Sequence, residues 1–232
     1  MKKVLFLGTR DKSDLVLYVA LTLAQIGYKT AVVDCSKKKR YLRTYTNYTD
    51  KNELYDFFNI DIAAANSPNE LESIMKQSNE KLESYDFVLV DIDNLDSKSN
   101  WRPFDRRYYV GDHDKINLID DGELVNSFLQ ENEKEVEFNK VTYEVPSDVD
   151  EAYLNQLFNH KIKWTASSYE LPFDEMDAAN KINMQYNMEP TFKKLSKDYK
   201  KVITSIVTSI AGNHEKESKI AMKKMEKGDF VI

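Results

Sequence analysis

The first thirty-five residues of this chain constrain its fold more than any other stretch. Val4 to Leu7 is a short apolar run ending at Gly8, the pattern of a strand buried on both faces. From Ser13 to Ile26 the apolar residues Leu15, Val16, Val19, Ala20, Leu23 and Ala24 recur at helical spacing, and Gly27 supplies a C-cap. Thr30 to Asp34 is a second buried strand. A strand, helix and strand joined by so little chain must place the two strands parallel, with a right-handed crossover.

The alternation continues downstream. The sequence predicts a helix near Asn52 to Phe58 and another over Pro68 to Leu82, N-capped by Ser67. A strand follows over Tyr85 to Asp91, then a polar connection to about Arg106 and a strand near Arg107 to Val110. Beyond these come a helix over Asp121 to Glu131, a strand over Lys140 to Val145, a helix over Asp150 to Asn159 and a strand over Lys161 to Ala166. From Phe173 onward the chain reads as mainly helical. This order predicts a doubly wound α/β fold, with a largely parallel sheet flanked by helices and a mainly helical C-terminal region. Residues 1–212 are expected to form one domain and 213–232 a helical tail, because 232 residues leave no room for two large domains.

Composition narrows the function. Hydrophobic residues at 41% and charged residues at 31% describe a soluble globular protein rather than a disordered one. A formal net charge of -6 argues against broad contact with nucleic acid, which is not an expected partner. The single cysteine, Cys35, excludes an internal disulfide and a multi-cysteine zinc site, and it reads as a small buried residue. His113, His160 and His214 form no ligand pair. No apolar run approaches membrane-spanning length, and the N-terminus lacks an export pattern, so a cytoplasmic location is expected. Neither a dinucleotide-binding G-x-G-x-x-G nor a nucleophile elbow G-x-S-x-G is present.

The segment Gly8-Thr9-Arg10-Asp11-Lys12-Ser13 joins the first strand to the first helix. A phosphate-binding loop converges backbone N–H groups on an anion at a helix N-terminus. Its glycines allow close approach, its lysine neutralises charge and its Ser or Thr hydroxyl ligates magnesium, while an aspartate ending a neighbouring strand holds the metal. Gly8, Lys12, Ser13, Asp34 and Asp91 occur in the required order. With the helix ending Leu23-Ala24-Gln25-Ile26-Gly27-Tyr28 and the strand Thr30-Ala31-Val32-Val33-Asp34, this opening resembles the ParA/MinD ATPases, whose deviant Walker A loop reads K-G-G-x-G-K-[ST].

The resemblance covers about the first ninety residues. It implies a P-loop NTPase-like fold with ATP or ADP and magnesium held by Gly8, Thr9, Arg10, Asp11, Lys12, Ser13 and Asp14. Ser13 and Asp91 would serve the metal, Asp34 would position the attacking water, and two copies would form a dimer. The departures are specific. Leu7 replaces the lysine that in the family reaches the partner's nucleotide, and Thr9 and Asp11 replace two glycines. Asp93 stands where proline is frequent. Asp11 sets a carboxylate where like charges repel, and the charges of Arg10, Asp11, Lys12 and Asp14 sum to zero. The resemblance thus implies a degenerate member, similar to the TadZ/CpaE pilus-localisation proteins. Such a protein would position or assemble a larger machine (pilus, secretion or conjugation) with weak or no ATP hydrolysis. The rival expectation is an active ATP-dependent dimerising switch in plasmid partitioning or complex positioning.

Other segments carry lesser expectations. Lys37 to Arg43 holds five basic residues in seven and reads as a solvated loop, or as a contact for acidic partners. Ser218 to Lys227 could form a helix with a basic face and a small apolar one of Ile220, Met222 and Met225, a weak contact for the inner face of a membrane. Asp91 with Asp93 resembles a metal pair. The acidic run of Asp112, His113, Asp114, Asp120 and Asp121 reads as a loop and a helix N-cap before it reads as a cation site.

Overall fold

Side chains of β1 (Lys2–Leu7) alternate between two cores, with Val4 and Phe6 buried on one face and Leu5 and Leu7 on the other. That two-sided burial is why the strand reads as an unbroken apolar run. In the computed structural model the described residues are 1–46, 53–97, 101–130, 133, 135–143, 149–212 and 215–230. α1 (Ser13–Ile26) ends at Gly27, whose φ of 115° lets its N–H return to the Ala24 carbonyl. β2 (Thr30–Asp34) is buried throughout, and α2 (Arg40–Tyr45) follows it.

The helix expected near Asn52 to Phe58 is not formed. Asn52 lies outside the described residues, and β3 (Leu54–Phe57) pairs antiparallel with β4 (Ile60–Ala64) instead. The two strands meet at Phe58 and Asn59, both in the left-handed region with φ of 51° and 65°. α3 (Pro68–Gln77) is capped by Ser67 as expected, and β5 (Phe87–Ile92) is fully buried. β6 (Arg106–Gly111) leads to α4 (Lys115–Phe128), which starts earlier than predicted because the Asp114 carboxylate accepts the Ile116 N–H. β7 (Val136–Tyr143), α5 (Glu151–Leu157) and β8 (Ile162–Leu171) complete the sheet. The predicted ends at Glu131, Glu144 and Val145 lie outside the described residues. α6 (Glu175–Asn187), α7 (Lys197–Ala211) and α8 (Glu215–Glu226) make the C-terminal region helical.

The eight strands run in the order β3-β4-β2-β5-β1-β6-β7-β8, parallel except for the β3–β4 hairpin. The chain therefore winds outward on both sides of β1, and the C-terminal ends of β1, β2, β5 and β6 open at the same edge. α1, α7 and α8 cover one face, while α3, α4 and α5 cover the other. In the tail, Met222 and Met225 are buried in the first core and Ile220 is 46% exposed. Phe230 packs between Phe58 and Phe192. Residues 213, 214, 231 and 232 lie outside the described residues. No helix among the described residues is long and apolar enough to cross a membrane.

Candidate functional site

Parallel pairing sets the frame of the site. Asp34 at the end of β2 lies in register with Asp91 of β5, and Leu7 lies in register with Ile92. Gly8 follows with φ of 149°, and a Cβ there would stand 2.1 Å from the Val110 carbonyl oxygen. The close approach of β1 to the backbone of β6 thus requires glycine at this position. Thr9 donates its N–H (2.7 Å) and hydroxyl (2.8 Å) to Asp121, a buried residue whose other oxygen accepts the Tyr109 hydroxyl at 2.7 Å. Arg10 pairs with Asp112 at 2.6 Å and lies 4.3 Å over the centre of the Tyr143 ring.

Lys12 is 1% exposed. Its Nζ lies 2.6 Å from Asp91 Oδ1 and donates to the Gly8 carbonyl at 2.7 Å and the Ile92 carbonyl at 3.3 Å. The second oxygen of Asp91 accepts the Tyr41 hydroxyl at 2.7 Å. Burial drives the Asp91 carboxyl up, and the Lys12 ammonium pulls it back. Asp34 accepts the Ser36 N–H at 2.9 Å and hydroxyl at 2.5 Å, and its other oxygen accepts the Tyr41 N–H at 2.9 Å. Burial pushes the Asp34 carboxyl up to about 6, with the Ser36 hydroxyl opposing and the Asp91 charge adding to the rise.

The Asp11 carboxylate turns back onto the start of α1. One oxygen accepts the Ser13 N–H at 3.1 Å and the Ser13 hydroxyl at 2.8 Å. The other faces Lys181 at 3.2 Å and Arg40 at 3.5 Å. Burial alone would raise this carboxyl, but Lys181, Arg40 and the Ser13 bonds outweigh it and hold it at about 2. Its charge sits against the positive end of the helix dipole. Asp14 accepts the Tyr199 hydroxyl at 2.6 Å and pairs with Lys181 at 3.1 Å. Burial disfavours the Lys181 ammonium, yet Asp14 and Asp11 together leave it raised. A cavity of about 110 Å³ beside these groups is lined by Arg10, Asp14, Tyr143, Phe173, Lys181 and Tyr199, among others.

The residues expected to form the nucleotide site, Gly8 through Asp14 with Asp34 and Asp91, lie together at this edge. Lys181 and Tyr199, which complete the arrangement, carry no signal in the sequence, and Arg40, Tyr41, Asp112 and Asp121, noted there in other roles, join the loop as well. Part of that was readable. Tyr41 and Tyr45 are four apart and both buried, so the run Lys37 to Arg43 turns one helical face inward rather than being a solvated loop throughout. Asp93 accepts the Lys37 N–H at 2.7 Å and faces Arg40 at 3.7 Å, so Asp91 and Asp93 are held by different partners. A residue of the acidic run does cap α4, but it is Asp114, ahead of the predicted start at Asp121, whereas Asp112 and Asp121 anchor Arg10 and Thr9. No group of three metal-ligating side chains occurs among the described residues.

No protein-family model matches the sequence, and no curated protein matches it in sequence. Solved structures match it in fold. A ParA family ATPase from Chlorobium tepidum TLS superposes with a TM-score of 0.59 and 14% identity, over 89% of this chain and 98% of that one. A chain of the MinC:MinD cell division protein complex from Aquifex aeolicus superposes with a TM-score of 0.53 and 10% identity, over 100% of this chain and 98% of that one. The chain has the ParA/MinD-like P-loop NTPase fold.

Proposed function

We propose that this chain is a positioning or assembly factor of the ParA/MinD kind, whose nucleotide loop is satisfied by its own side chains and which hydrolyses ATP weakly or not at all. The observation that supports this reading most is the buried pair of Lys12 with Asp91 at 2.6 Å. A working loop must offer that lysine to a phosphate and that aspartate to magnesium, and here each neutralises the other. Asp11 adds to the effect by placing a carboxylate at the N-terminus of α1, where a phosphate would bind. A phosphate charge 4 Å from it would be repelled by about 4 kcal/mol at an effective dielectric constant near 20. A magnesium nucleotide fits these residues only if Asp11 leaves Ser13 and Lys12 leaves Asp91. Any nucleotide bound after such a change would be ATP or ADP with magnesium, held through Ser13 and Asp91 beside Asp34.

Function then rests on protein contacts within a larger machine, with pilus, secretion and conjugation systems as the analogy from fold and loop chemistry. Leu7 is uncharged and fully buried, so this position offers no cation to a second copy, and a homodimer would use another face. A cytoplasmic protein of this kind could touch the inner face of the membrane only weakly through α8, since Met222 and Met225 point inward. The rival reading, an active dimerising switch, draws on the intact register of Asp34 with Asp91 beside Gly8. Phosphate release from magnesium ATP separates the two. The proposal expects release that is slow or at the background of buffer. Sustained magnesium-dependent release by the wild-type chain would establish the switch instead.

A further inference from the structure

β8 ends the sheet on the side away from the β3–β4 hairpin and is ten residues long. Its pairing with β7 passes from Phe138↔Trp164 to Lys140↔Ser168, so β8 carries extra residues in a bulge over Thr165, Ala166 and Ser167. Ala166, Ser167 and Ser168 are exposed. Between this edge and α7 lie two adjoining hollows of about 890 and 500 Å³, which share Ser168, Tyr169, Lys201 and Ser205. Thr204, Ser205 and Thr208 line the helix side of the larger one.

Charge in the larger hollow is one-sided. Arg106, Lys197, Lys200, Lys201 and Lys219 line it, against Glu215 as its one carboxylate. Lys200 pairs with Glu226 at 2.7 Å and Lys219 with Glu215 at 2.5 Å. Arg106, Lys197 and Lys201 face no carboxylate within ion-pair distance among the described residues. Glu170 and Asp198 line the smaller hollow, so the positive charge is concentrated in the larger one.

We propose that this groove binds an acidic, extended peptide segment of a partner protein, which lies along β8 as an added strand. An edge strand presents backbone N–H and C=O groups that a further strand can satisfy, while the opposite wall selects among side chains. Here that wall supplies lysines, which match carboxylates, while Thr204 and Thr208 donate their hydroxyls to the Lys200 and Thr204 carbonyls. Lysines and bulges also guard edges against pairing. A guard needs no open space, however, and here an open hollow adjoins Ala166, Ser167, Ser168 and Tyr169 of the edge strand. Nucleic acid is the weaker occupant, because the chain is net negative and Tyr169 is the one aromatic residue lining either hollow. The groove shares no residue with the loop after β1, so failure of either proposal leaves the other standing.

The test uses the full chain and a fluorescein-labelled ten-residue peptide of alternating Glu and Thr, read by anisotropy and by backbone hydrogen exchange. The expected result is saturable binding, weakened about tenfold or more in the exposed double variant Lys197→Glu/Lys201→Glu, which removes complementary charge. Exchange should slow at residues 166–171, a change that loose electrostatic attraction would not produce. The same peptide with Lys in place of Glu should not bind. Circular dichroism of the double variant must match the wild type for its loss of binding to count. No binding, binding that survives the charge reversal, or unchanged exchange along β8 would each overturn the proposal. Tighter binding of a ten-nucleotide single strand at the same lysines would overturn it in favour of nucleic acid.

Discussion

Arg10, Lys12, Arg40 and Lys181, around the loop that follows β1, each face a carboxylate at distances of 2.6, 2.6, 3.5 and 3.2 Å. Arg106, Lys197 and Lys201, along the groove between β8 and α7, line open space with no such partner among the described residues. The same residue types do different work in the two places. Taking Lys12 away from Asp91 would leave a bare charge in the core, so that pair belongs to the structure before it belongs to any ligand. A lysine on an open wall is held at little cost and remains available to a partner. Presence of a lysine at the expected spacing is therefore a weaker sign of binding than the absence of an internal counter-charge.

Lys12→Ala should break this contrast most severely. It leaves Asp91 buried with Tyr41 as its remaining side-chain donor, and a loss of about 3–5 kcal/mol in urea denaturation is expected. A loss below about 1 kcal/mol would mean that the pair is not structural. Gly8→Ala should come next, at roughly 3 kcal/mol, because its Cβ would meet the Val110 carbonyl at a positive φ. A neutral result would show that the loop can move away from β6.

Lys181→Ala should cost less, about 1–2 kcal/mol, and leave a signature in pH. Asp11 sits at about 2 in the folded chain against an ordinary 3.8. Its contribution is therefore present above pH 3.8 and is lost as the pH falls from there through about 2. Removing Lys181 should shrink that acid loss. Asp34 has the opposite sign, since its folded value of about 6 lies above 3.8, and stability should fall as pH rises between them. Asp34→Asn should abolish that fall in a pH series of urea midpoints. The smallest effect is expected for Lys197→Glu/Lys201→Glu, within about 0.5 kcal/mol of wild type, as both side chains are exposed.

The first βαβ unit was readable because its burial is two-sided and its helix ends at a glycine, so pattern and chemistry agree. The β3–β4 hairpin was not. Its turn is Phe58-Asn59, without the glycine that marks a two-residue hairpin, and Phe58 is held at positive φ with its ring against Phe57 and Phe230. Leu54-Tyr55-Asp56-Phe57 is too short for its period of two to be told from a helical turn. At the site, Gly8, Lys12, Asp34 and Asp91 lay in order within ninety-one residues and could be grouped by the phosphate-loop pattern and the family resemblance. Lys181 reaches the loop from 170 residues away, on a helix whose sequence has no feature that points to Asp11. Contacts so distant in sequence emerge from packing, and they determine how the loop is neutralised.

Titration calorimetry of magnesium ATP into the wild-type chain and Asp11→Gly tests the internal neutralisation of the loop most directly. The substitution removes the carboxylate from Ser13 and leaves Arg40 and Lys181 without their Asp11 partner at the N-terminus of α1. The expected result is no saturable heat from the wild type up to about 1 mM nucleotide, and binding at least about tenfold tighter in Asp11→Gly. Micromolar, magnesium-dependent binding by the wild type, unchanged in Asp11→Gly, would contradict it.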